Sequence, residues 1–345
     1  MTYLESRPQY IKDYFKILEP DFPDWLEEYI ETPAMLKQQY ISMTCGVYYT
    51  KLFDCKNWYS SLDHSIGVAL IVWHFTHDKK QTLAGLFHDI ATPVFKHCID
   101  FLNGDYETQE STEDLTSEII ANSKEIHTLL KRDGLTTADV DNYHLYPIAD
   151  NDTPQLSADR LEYSLSNGAV SYGLIDLATI AELYSDLEIQ KDEQGQDEIA
   201  FRTKKHARKF VLITSKLSIL YRNHADRYSM QLVADVVKGL HDDGKITIND
   251  LYKYKESEII EIIEKSRYAK AWNLWRKASK VKATKDEPDG LYYVHHPGKI
   301  RYITPLVNGE RINKIRKIAQ NAIDKNLSYD QDYYVFLPEI KSLNQ

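Results

Sequence analysis

The chain has 345 residues, 43% of them hydrophobic, and a formal net charge of −10. That length buries a large core as one large domain with additions or as two domains, and the composition excludes a disordered chain. The acidic balance excludes a general nucleic-acid surface, which needs a concentrated basic face, but leaves room for a local basic pocket that takes a small anion.

Cys45, Cys55 and Cys98 are odd in number and irregularly spaced, with no C-x-x-C pair. Neither a disulfide framework nor a zinc knuckle is expected, and a reduced, cytoplasmic compartment is. The N-terminal Met-Thr-Tyr-Leu-Glu-Ser-Arg-Pro has no basic segment leading into an apolar run. The most apolar stretch, 66–75, is too short to span a bilayer, so no membrane association is expected.

Taken in chain order, residues 8–45 read as helical. The run 62–75 is apolar over most of a helix circumference, which predicts a central helix. A second buried helix is expected over 83–90, ended by Ala91-Thr92-Pro93, with a restart near Val94 because proline cannot continue the hydrogen-bond ladder. After a polar, acidic stretch from 103 to 114, helix is expected over 115–130, as a short capped turn at 137–140, and from 158 to about 187. Residues 191–198 read as an exposed charged loop. Helices follow over 204–238, 247–265 and 268–280. Beyond Lys285-Asp-Glu-Pro-Asp-Gly the runs 291–295 and 300–306 are β-branched and aromatic, and His-Pro-Gly-Lys between them predicts a hairpin. A helix over 310–325 and a strand over 333–337 complete a small C-terminal α/β appendage. The division expected is a helical core over 1–190, a helical extension over 191–285 and the appendage over 286–345.

The chemistry centres on His88-Asp89. Three His-Asp pairs occur, but His77-Asp78 and His241-Asp242 lie in polar, turn-like surroundings. His88-Asp89 sits in Leu-Ala-Gly-Leu-Phe-His-Asp-Ile-Ala, where a charged Asp is costly unless paired or bound to a metal. His64 opens the central helix and Asp159 opens another. A buried histidine and a helix cap would explain each of these alone. Two imidazoles and two carboxylates together form a ligand set for one divalent ion of borderline hardness, and the set does not distinguish Mn, Fe, Mg, Co, Ni and Zn.

The ordered pattern His64, His88-Asp89, Asp159 resembles the HD-domain metal-dependent phosphohydrolase superfamily. Asp-His-Ser-Ile-Gly-Val, Ala-Gly-Leu-Phe-His-Asp-Ile-Ala-Thr-Pro-Val-Phe-Lys-His and Ala-Asp-Arg-Leu-Glu-Tyr are similar to the branch containing deoxynucleoside triphosphate triphosphohydrolases. The resemblance implies a mainly α fold, an HD-type helical bundle around the metal. It makes His64, His88, Asp89 and Asp159 the metal ligands and places His97 and Asp100 in the active site. It brings Arg160 and Tyr163 to the substrate's phosphates. The chain departs from that branch at Thr92 and Gln109, where histidines are expected, and at Ser61, where an arginine is.

The reaction implied is metal-assisted hydrolysis of a small phosphorylated substrate, a nucleotide or a related ester or anhydride. Arg160 and Lys96 would offset charge, Asp100 or Glu110 would orient water, and His97 would move a proton. Two alternatives remain: a di-iron oxygenase on the same fold, drawing on His97, His127 and His144, and a degenerate protein that binds a nucleotide as sensor or scaffold. The large apolar helices and the appended segment also lead to an expectation of a homo-oligomer.

Overall fold

The computed structural model describes residues 1–102 and 115–344. The protein is mainly helical with a small strand component, as expected. The helix Ser61–Thr76 forms the centre, and every residue from Ser61 to Val72 is buried. Ser60 caps it, accepting a hydrogen bond from the Asp63 N–H while the Asp63 carboxylate accepts from the Ser60 N–H. The helices Gln9–Leu18, Lys79–Phe87 and Ala158–Ser166 pack around it. Lys79–Phe87 comes close because Gly85 faces it: a Cβ there would lie 3.3 Å from side-chain atoms of both Val68 and Val72.

The predicted second helix ends earlier than the apolar run does. It stops at Phe87, and His88 and Asp89 stand in the turn that follows. The helix does not restart at Val94. Phe95 (φ +63°) and Lys96 (φ +45°) are both left-handed, and the next helix begins at Cys98. Two successive side-chain-bearing residues in that region store strain, which the surroundings must hold.

The expected exposed loop at 191–198 is instead a hairpin of β1 (Leu187–Lys191) and β2 (Asp197–Phe201). Glu198 is fully buried there and binds Arg311 at 2.7 Å, so its charge reads as solvated only until that distant partner is seen. After the helices Lys204–Leu220, His224–Asp242, Ile248–Lys253, Glu256–Glu264 and Ala269–Lys277, four further strands occur: β3 (Lys282–Thr284), β4 (Tyr293–Val294), β5 (Leu306–Val307) and β6 (Glu310–Arg311). The helix Lys317–Leu327 and β7 (Tyr334–Phe336) follow.

The hairpin predicted across His-Pro-Gly-Lys does not form. β4 pairs with β7, in a sheet of order β3-β7-β4, whereas β5 runs parallel to β2 in a sheet of order β1-β2-β5-β6. Strand propensity marked both segments, but partner choice is a matter of packing that propensity does not encode.

Two apolar clusters result. One surrounds the central helix; the other surrounds His224–Asp242 with Trp272 and Trp275. A cavity of about 310 Å³ takes walls from both, with His64 on one side and Asp226 and Met230 on the other. Among the described residues no helix is long and apolar enough to cross a membrane.

Candidate metal centre

His64, on the first turn of the central helix, and His88, just past the next helix, face each other with their Nε2 atoms 3.1 Å apart. Asp159 Oδ1, from the first turn of Ala158–Ser166, lies 3.1 Å from His64 Nε2 and 3.7 Å from His88 Nε2. Asp89 Oδ2 lies 3.9 Å and 3.8 Å from the same two atoms. The four side chains expected to hold a metal are therefore brought together, and His64, His88 and Asp89 alone form a compact group of three donors.

The far nitrogens fix which atoms are free. His88 Nδ1 is 2.8 Å from the Gly85 carbonyl, which only accepts, so Nδ1 carries the proton and the Nε2 lone pair points to the cluster. His64 Nδ1 is bonded to Glu162 in the same way. Metal-binding histidines are oriented by such contacts to a carbonyl or a carboxylate. Two imidazole lone pairs and two carboxylate oxygens converging on one point repel each other unless a cation or a proton lies between them. The donor set thus fits one divalent ion. Burial disfavours charge on His64, but Glu162 and Asp159 outweigh it and raise the imidazole to about 9. Burial likewise opposes the charge of Asp89, yet Lys96, His88 and His64 hold its carboxyl well below the usual carboxylate range.

Glu162 is the residue that sequence reasoning passed over. Fully buried, it accepts from Tyr59 Oη at 2.6 Å, Tyr14 Oη at 3.1 Å and Ser166 Oγ at 3.2 Å while it holds His64. Room for it comes from Gly67, where a Cβ would stand 2.7 Å from Glu162 Cγ and Oε1. The available signal was a carboxylate one helical turn beyond Asp159, on a buried face.

The remaining expected residues divide. Lys96, through the strained turn, places Nζ 2.5 Å from Asp89 Oδ2 and 3.3 Å from Ser61 Oγ. The short side chain at 61, where an arginine was expected, leaves space for it. Arg160 lines the cavity, held by Asn151, by Ser157 at 3.1 Å and by Asp150 at 3.2 Å. Tyr163 and His97 line it too. Asp100 does not: its buried carboxylate binds His97 Nδ1 at 2.9 Å, which suits a positioning role rather than contact with water in the cavity. Glu110 and Gln109 lie outside the described residues. His127 is exposed and is no part of the cavity wall, while His144 lines it and binds Asp150 at 2.9 Å. Sequence reasoning also missed Lys299, Arg301 and Tyr302, which the C-terminal segment contributes to the same cavity, and Asn167, Tyr172, Tyr221 and Asp226, which also line it.

No protein-family model matches the chain. It is 24% identical over 274 residues to the uncharacterized protein YdhJ of Bacillus subtilis, covering 76% of this chain and 81% of that one. It is 27% identical over 131 residues to the metal-dependent phosphohydrolase cns2 of Cordyceps militaris, covering 36% of each chain. The crystal structure of a hypothetical protein from Aquifex aeolicus shares the fold, with a TM-score of 0.52 at 16% identity over 92% of both chains. The Cordyceps militaris relative is named a metal-dependent phosphohydrolase, and in this chain His64, His88 and Asp89 form a group that could hold a metal ion within a mainly helical fold.

Proposed function

We propose that the protein is an HD-type phosphohydrolase that cleaves a phosphate ester or anhydride of a nucleotide or related small molecule. One divalent ion would be held by His64, His88, Asp89 and Asp159. The observation that carries this reading is the convergence of those four donors, with both distal imidazole nitrogens already engaged. Such an ion supplies a water nucleophile at neutral pH and Lewis-acid polarisation of a phosphoryl oxygen.

The chain's own side chains do the rest. Arg160, pinned by Asn151 and Ser157, presents fixed positive charge to the phosphate without reorganising during the reaction. Lys96 neutralises one carboxylate of the ligand set. His97, with Nδ1 turned to Asp100, keeps Nε2 for proton transfer to the leaving oxygen as the P–O bond breaks and the water oxygen bonds to phosphorus.

Hydrolysis is tested with a panel of nucleotides and phosphate esters supplied with Mn, Mg, Co or Ni, using His88→Ala/Asp89→Ala as the blank. Phosphate or pyrophosphate release by the wild type, reduced to background in the blank, is expected. Equal release by both proteins, or none by a metal-loaded wild type, contradicts the proposal.

A further inference from the structure

Of the two carboxylates in the ligand set, one carries a fixed cation. Lys96 Nζ lies 2.5 Å from Asp89 Oδ2, the same oxygen that approaches His64 Nε2 at 3.9 Å and His88 Nε2 at 3.8 Å. Asp159 differs. Among the described residues no lysine or arginine forms an ion pair with it, and its neighbour Arg160 turns to Asn151, Ser157 and Asp150 instead. The Lys96 side chain has no route to solvent. It is buried, with Nζ also 3.3 Å from Ser61 Oγ and 3.4 Å from Met43 Sδ, and it leaves the turn in which Phe95 and Lys96 are both left-handed.

An ammonium has three donors and no lone pair, so Lys96 cannot ligate an ion; what it brings is charge. A carboxylate oxygen has more than one lone pair, so Asp89 can serve an ion and an N–H together. Ligation requires neutral imidazoles, which leaves the set with the two negative charges of Asp89 and Asp159. Lys96 cancels one of them. A divalent ion then gives the centre one excess positive charge, and a trivalent ion or a second divalent ion gives it more. Water and salt screen poorly in a buried site, and the repulsion from a fixed cation grows in proportion to the ion's charge. The donors agree with this reading. Among the described residues no second group of three, beside His64, His88 and Asp89, comes close enough to hold another ion.

We propose that Lys96 sets the charge selectivity of the metal centre: its ammonium, fixed on Asp89, weakens ion binding, and weakens it more for a trivalent than for a divalent ion, which restricts the site to one divalent ion. This rests on the phosphohydrolase reading for the four ligands, but not for the reaction. An iron held there resists oxidation, which opposes the oxygenase alternative.

Full-length wild type, Lys96→Met and Lys96→Arg, stripped of metal, are titrated with Mn²⁺ by calorimetry. Lys96→Met keeps the length of the side chain and drops its charge, so it should bind Mn²⁺ about tenfold or more tighter than wild type. Lys96→Arg keeps the charge and should match wild type. The same proteins, loaded with Fe²⁺ without oxygen, report on the charge of the ion. The Fe³⁺/Fe²⁺ midpoint of Lys96→Met should lie below that of wild type, by about 59 mV for each tenfold gain of Fe³⁺ over Fe²⁺ affinity. Lys96→Gln, which can still hydrogen-bond Asp89 and Ser61, takes the place of Lys96→Met if the latter does not fold. Unchanged or weaker Mn²⁺ binding by the neutral variant overturns the inference, because Lys96 then orients Asp89 without opposing the ion. An unshifted midpoint overturns it as well. Either result leaves the hydrolase standing if the nucleotide and ester panel shows phosphate release. Charge-dependent Mn²⁺ binding without release keeps the inference and removes the hydrolase, and a wild type that binds no Mn²⁺ removes both.

Discussion

At the scale of single residues, the site depends on what stands behind each ligand. His64 and His88 present Nε2 because Glu162 and Gly85 occupy Nδ1. Glu162 in turn is satisfied by Tyr14, Tyr59 and Ser166, so its orientation is fixed before any ligand arrives. Replacing Glu162 by Gln keeps the volume but removes the charge that sets the His64 tautomer. Isothermal titration with Mn²⁺ should give an affinity about 10–100-fold weaker for Glu162→Gln. An unchanged affinity would show that His64 needs no such partner. The ligands themselves were legible in the sequence, because histidine and aspartate in apolar surroundings require a reason. Glu162 was not, since its meaning lies in contacts with Tyr14 and His64, 148 and 98 residues away.

At the scale of elements, the turn from Thr92 to His97 decides where Lys96 goes. Its two left-handed residues are held from outside: Val94 N–H bonds to the Leu251 carbonyl at 2.9 Å, and Phe95 N–H to Glu256 Oε1 at 3.3 Å. Glu256 also accepts from Ser42 N–H at 3.0 Å and Tyr49 Oη at 2.6 Å. Burial pushes this carboxyl from 4.5 up to about 7, despite the opposing hydrogen bonds and Lys37. The folded protein thus keeps a proton that the unfolded chain gives up above about 4.5. The stability it contributes is complete below that pH and is lost as the pH rises through about 7. Denaturant unfolding of wild type and Glu256→Gln at pH 5 and pH 8 should show wild type losing up to roughly 3 kcal/mol relative to the variant over that interval. A stability difference that stays constant with pH would mean that Glu256 titrates normally. The central helix was readable from apolar periodicity, but the ends of the helices on either side of this turn, and the turn itself, were not. Proline announces a break without saying how the chain leaves it.

At the scale of the whole molecule, the cavity is a composite. The metal pole comes from the central helical core, while Asp226 and Met230 come from the second cluster and Lys299, Arg301 and Tyr302 from the C-terminal segment. The sequence carried the first contribution in compact motifs. The others occupy isolated positions whose role exists only once the chain is folded. The misread hairpin has the same origin: β5 left its sequence neighbour β4 for β2, about a hundred residues earlier in the chain. The cavity wall gathers Lys96, Arg160, Lys299 and Arg301, but also Asp89, Asp150, Asp159 and Asp226, so it mixes both signs of charge and is not the purely basic pocket that composition had left open. The hydrolysis proposed for that cavity depends on a resident ion. Its most direct test is the metal content of the full-length protein, purified without added metal and then loaded, for wild type and His88→Ala/Asp89→Ala. One divalent ion per chain in wild type and none in the variant is expected; two irons per chain, or equal metal in both proteins, would contradict a single four-ligand hydrolytic centre.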